Sequence, residues 1–157
     1  MGASGGIAVL CCSLHATVPE SSPVGNGAAA ARKVGRVLDT SPLTAAVERF
    51  ADRLRAMPQS RLQQGAAARA LELARELSVR AQALEAPPEG AGAAPAREMP
   101  DAGVFVVGDQ VAVAGLDLAE ALRAAAAEGA PDTAKAPSEM LDEAVRLVER
   151  AEAGATR

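Results

Sequence analysis

Residues 103–115 read GVFVVGDQVAVAG, and the fold of this passage decides the class of the whole chain. Valine and phenylalanine are strand formers, and the central Gly108-Asp109 suits a two-residue turn with glycine first. That reading predicts a β-hairpin pairing Val107 with Gln110, Val106 with Val111 and Val104 with Val113. One face is then all valine, while Phe105, Val107, Gln110 and Ala112 form the other. A lone two-stranded ribbon is not stable in water, so helices or a second ribbon must cover it.

Beyond the ribbon, Asp117-Leu118-Ala119-Glu120 has capping-box spacing and predicts a short helix to about Glu128, stopped by Gly129 and Pro131. Ser138 then caps a last helix, with Glu139, Asp142 and Glu143 at its positive end and Arg146 and Arg150 toward its negative end. Met140, Leu141, Ala144, Val145, Leu147, Val148 and Ala151 make a wide apolar arc on it, which needs a partner in cis or in trans.

Ahead of the ribbon, residues 86–97 read APPEGAGAAPAR, a linker by composition. Two helices precede it. The first starts at Thr40-Ser41-Pro42, where Thr40 or Ser41 caps the free amides and Pro42 suits the first turn, and runs to about Met57. At 100° per residue, Leu43, Val47, Phe50, Leu54 and Met57 fall within an arc of roughly 80°. After Pro58 the second runs from Ser60 to Glu85, with Leu62, Ala66, Ala70, Leu73, Leu77 and Leu84 on one face. So short a connection predicts an antiparallel helical hairpin closed by the two stripes.

The expected architecture is therefore mainly α with one β-hairpin. A disordered tail spans 1–33, the helical hairpin 34–86 and a flexible linker 87–99. The β-hairpin and two further helices occupy 100–153 and can dock on the first half. Charge divides along the same line: residues 27–97 carry a net +4 and residues 98–157 a net −7, within an overall −4. Leu, Ile, Val and Phe make up only about a fifth of the 157 residues, so the core must be small and alanine-lined.

Composition excludes more than it assigns. Without Trp or Tyr, and with Phe50 and Phe105 the sole aromatics, no base-stacking platform can be built. His15, Cys11 and Cys12 cannot supply the four ligands of a structural zinc site, and the single histidine lies in the tail. There is no phosphate-binding glycine motif, and no carboxylate pair has the placement of a general acid and base, so neither an enzyme nor a bound cofactor or metal is expected. The apolar run Ile7–Leu14 has no basic residue before it, as an export signal requires, and no segment is long enough to span a bilayer, so a cytoplasmic location is expected.

The surplus of apolar stripes points instead to a small interaction or assembly module. A protein partner or a second copy would meet Leu43, Val47, Phe50, Leu54, Leu73 and Leu77. The alternative is a DNA-binding regulator whose Arg49, Arg53, Arg61 and Arg69 contact phosphates, with the overall acidity against it.

Overall fold

The first helix begins where three polar residues meet a proline. Asp39, rather than Thr40 or Ser41, supplies the side-chain cap: its Oδ1 accepts the Ser41 amide at 3.0 Å, and the Thr40 carbonyl accepts the amides of Leu43 and Thr44. From there α1 runs Ser41–Arg55 and buries Leu43, Ala46, Val47, Phe50, Ala51 and Leu54, a stripe of helical period. The computed structural model describes residues 37–86, 95, 97–128 and 135–157. The tail expected over 1–33 lies outside them, as does most of the expected linker.

After Pro58, one turn of helix, α2 (Gln59–Arg61), opens into a wide turn, Leu62–Ala66. There Gly65 has φ +120°, a backbone region that L side chains rarely adopt. The chain is re-aimed at this point and α3 runs Ala67–Glu85, burying Ala67, Ala70, Leu71, Leu73, Ala74, Leu77 and Ala81.

The passage 103–115 turns at Val104–Val106 and is helical from Val107 onward. Val107 opens α4, which continues unbroken to Glu128, and no strand occurs among the described residues. The expected hairpin is therefore corrected, and so is the expected helix start at Asp117, which lies exposed in mid-helix. Val107, Val111, Ala114, Leu118 and Leu122 recur at intervals of three and four and face the core. The glycines serve close approach rather than a turn. A Cβ on Gly115 would lie 2.5 Å from Val47 Cγ2, and one on Gly108 would lie 3.1 Å from the Ala51 carbonyl oxygen. These two positions are seven residues apart, on one face, and α1 is seated against both.

The last helix, α5, runs Pro137–Ala155 and buries Leu141, Ala144, Val148, Glu152 and Ala155. Contacts between helices overturn the expected closed pair of α1 and the second helix. α4 and α5 each pack on both α1 and α3, whereas α1 and α3 scarcely touch. The two long stripes thus meet across a shared core instead of zipping together.

Ion pairs fix the directions. Asp109, at the start of α4, bonds Arg55, at the end of α1, so these helices are antiparallel. Glu143, early in α5, reaches Arg80 late in α3, and Arg69 early in α3 donates to the Gly154 carbonyl late in α5, so these are antiparallel too. Glu152 meets Arg49 and Arg53, which makes α5 parallel to α1. Therefore α3 and α4, consecutive in the chain, run parallel. Their connection returns along α3, with Arg97 bonded to Gln82 and the Met99 carbonyl accepting from Arg75. The described helices form a four-helix bundle with one long crossover, within a compact unit Lys33–Arg157.

Candidate functional site

All six residues expected at an interface are core residues. Leu43, Val47, Phe50, Leu54, Leu73 and Leu77 are buried in one cluster with Leu118, Leu122 and Val148. The sequence pattern that marks a stripe is the same whether the stripe meets another copy or the chain's own helices. Here α4 and α5 cover it.

The arginines behave differently. Arg49, Arg53, Arg61 and Arg69, spread over α1, α2 and α3, all reach the last turns of α5. Arg49 Nε and Arg53 Nη1 each lie 3.3 Å from a carboxylate oxygen of Glu152. Arg61 Nη2 donates to the Thr156 carbonyl at 3.1 Å, and Arg69 Nη1 donates to the Gly154 carbonyl. The end of a helix leaves its final carbonyls without intrahelical donors and carries a partial negative charge, so guanidinium groups are favoured there. Glu152 is only 8% exposed. Two guanidinium groups one helical turn apart make its burial tolerable. It was invisible in the sequence, where it looks like one more solvated glutamate in an acidic helix.

Three of these features share a cleft. Arg61, Gln64, Gly65, Ala66, Arg69, Gly154, Ala155 and Arg157 line a depression of about 190 Å³ with no carboxylate side chain in its wall. A second, apolar cleft of about 270 Å³ lies between the wide turn and the start of α4, lined mainly by Leu62, Ala67, Leu71, Val104 and Val107 with Asp101 at its edge.

The other surface of note is the outer face of α4. Phe105 is 69% exposed, and Val106, Val113 and Leu116 are also exposed. Val113 and Leu116 lie on α4 opposite the core stripe, while Phe105 and Val106 belong to the turn that precedes the helix. Of the carboxylates beside them, Asp109 is engaged by Arg55 and Glu120 by Arg123, while Asp117 is exposed and in none of the described ion pairs. Hydrogen bonds that Arg55 donates to Asp109 first, and to Asp52 second, push its guanidinium above its ordinary pKa. Elsewhere Lys135, then Arg80, hold the Glu143 carboxyl below its ordinary value. Hydrogen bonding from Ser41 lowers Asp39.

Among the described residues no group of His, Cys, Asp and Glu could hold a metal ion. No described helix is long and apolar enough to cross a membrane. No family model, curated protein or solved structure matches the chain.

Proposed function

We propose that this chain is a non-enzymatic assembly module that associates with a second copy of itself through the outer face of α4. The observation that carries this reading is four large apolar side chains left in water, Val113 and Leu116 on the outer face of α4 and Phe105 and Val106 in the turn that leads into it. The chain has two phenylalanines; Phe50 is fully buried and Phe105 is not. A protein with so few large apolar residues gains most by burying each, so an aromatic spent on the surface favours a contact there. A second copy suits this face because most of its charge is already paired within the chain. Asp109 and Glu120 are already matched by Arg55 and Arg123, so when two such faces meet about a two-fold axis near Val113 the exposed Asp117 is the one carboxylate of this stretch of α4 outside the described ion pairs. Association through Leu43, Phe50 and Leu54 would require the bundle to open, since α4 and α5 occupy that surface.

The test is sedimentation equilibrium of the full chain with interference optics, which a protein lacking Trp and Tyr requires. The expected result is a mass that rises with concentration toward twice that of one chain. Val113→Asp, at a position 54% exposed, should return the monomer with helical content unchanged. A monomer at every concentration, or a dimer indifferent to Val113→Asp, would refute the reading.

A further inference from the structure

The cleft at the end of α5 has a composition unlike the rest of the surface. Three arginines, Arg61, Arg69 and Arg157, line it together with Gln64, and no Asp or Glu does; hydrogen bonds to the end of α5 place the Arg61 and Arg69 guanidinium groups there. The negative groups nearby are already engaged, although Glu152 Oε1 meets Arg53 only as an ion pair and has no hydrogen bond. Glu152 is turned toward Arg49 and Arg53, and the carbonyls of Gly154 and Thr156 accept from Arg69 and Arg61. Each guanidinium has five N–H donors, and capping a carbonyl uses one of them, so several remain to be aimed elsewhere. Local charge also remains in surplus, because a helix C-terminus carries only about half a negative charge.

Two backbone features hold this arrangement. Gly65, at φ +120°, lies in the wide turn between Arg61 and Arg69, setting the two arginines on either side of a break. Gly154 lies in the last turn of α5, and a Cβ there would come within 2.8 Å of Arg69 Nη1. Glycine inside a helix costs about 1 kcal/mol relative to alanine. Here its missing side chain is what lets the Arg69 guanidinium lie against α5.

We infer that this cleft is a binding site for a phosphoryl group, of a size that admits a pyrophosphate or the terminal phosphates of a small ligand. Planar guanidinium groups match phosphate oxygens in paired hydrogen bonds, and those of Arg61 and Arg69, with Arg157 beside them, supply donors enough for a phosphate. The site is independent of the α4 face, being built by α2, α3 and α5.

The experiment is a titration of the ¹⁵N-labelled full chain with inorganic pyrophosphate, following the backbone amides of Gly65, Gly154 and Arg157. Saturable shifts confined to these signals are expected. Arg61→Gln and Arg69→Gln should each weaken binding by about tenfold. Arg123→Gln, which removes the same charge from α4, should leave it unchanged. Gly154→Ala keeps every charge but displaces the Arg69 guanidinium, and should weaken binding severalfold while far-UV circular dichroism shows the helices intact. Shifts that do not saturate, or a loss in Arg123→Gln equal to that in Arg69→Gln, mean that only net charge is sensed and overturn the site. Undiminished binding in Gly154→Ala overturns the assigned geometry.

Discussion

Gly115 concentrates the argument at the scale of single residues. Replacing an interior helical glycine with alanine is normally favourable by about 1 kcal/mol. Here the new Cβ would stand 2.5 Å from Val47 Cγ2 and 2.6 Å from Cγ1. Valine in a helix has essentially one χ1 rotamer, so Val47 cannot turn aside and α1 must move. Overpacking of this kind costs about 1–3 kcal/mol, which exceeds the propensity gain. Gly115→Ala should therefore lower the urea midpoint, and Val47→Ala in the same chain should recover part of the loss. The pair is in contact, so the double-mutant cycle should show coupling of about 1 kcal/mol or more. A stabilised Gly115→Ala would mean that the two helices are not seated on each other at this point. Glu152 gives a second case. Glu152→Gln keeps the shape but leaves Arg49 and Arg53, each about half exposed, without a counter-ion. Because water reaches those guanidinium groups, the expected loss is modest, about 1 kcal/mol by thermal or chemical denaturation.

At the scale of elements, the amphipathic helices were legible and the valine-rich passage was not. α1 and α5 announce themselves by apolar residues at three- and four-residue spacing; the first helix, read from Thr40-Ser41 to about Met57, falls close to Ser41–Arg55, while Ser138, expected to cap the last, lies inside α5, which begins at Pro137. In 103–115 two periods coexist. Val104, Val106, Val111 and Val113 satisfy alternation across a turn, while Val107, Val111, Ala114 and Leu118 satisfy a helix. Strand propensity and the Gly-Asp pair favoured the first. What decides for the second is outside the segment: α1 presents Val47 and Ala51 at a distance only glycine tolerates, and the helical register places both glycines there. The arginine cluster was equally hidden, because residues 49 to 69 meet residues 152 to 156 only through the helix directions. The helix assignment makes its own prediction. ¹³Cα shifts should be helical without interruption from Val107 to Leu122. Amide exchange should be slowest around Val111 to Leu118, where the helix faces the core. An extended signature on both sides of Gly108-Asp109 would restore the hairpin.

Across the whole molecule, the charge asymmetry of the sequence is resolved within the chain. The basic first half and the acidic second half meet in the pairs Arg55–Asp109, Arg49 and Arg53–Glu152, Arg75–Glu98 and Arg80–Glu143. The parallel course of α3 and α4 makes this possible, since it gives the second half access to both ends of the bundle. The pairs are largely exposed, so each adds little alone, but together they orient the halves and tie stability to the ionisation of carboxylates. Glu143 shows the sign. Lys135 and Arg80 lower its pKa in the folded chain from the ordinary 4.5, and hydrogen bonding from Ser41 lowers Asp39 from 3.8. A carboxyl depressed by folding contributes its full stabilisation above the unfolded value and loses it as pH falls through the folded one. The urea midpoint, followed by far-UV circular dichroism, should thus hold from neutrality to about pH 5 and decline below. Glu143→Gln should begin from a slightly lower midpoint at pH 7 and decline less steeply in acid, so that the two curves converge. Parallel curves for the two proteins would show that Glu143 is not held by Lys135 and Arg80 in solution, and that the start of α5 is not anchored to α3 by charge.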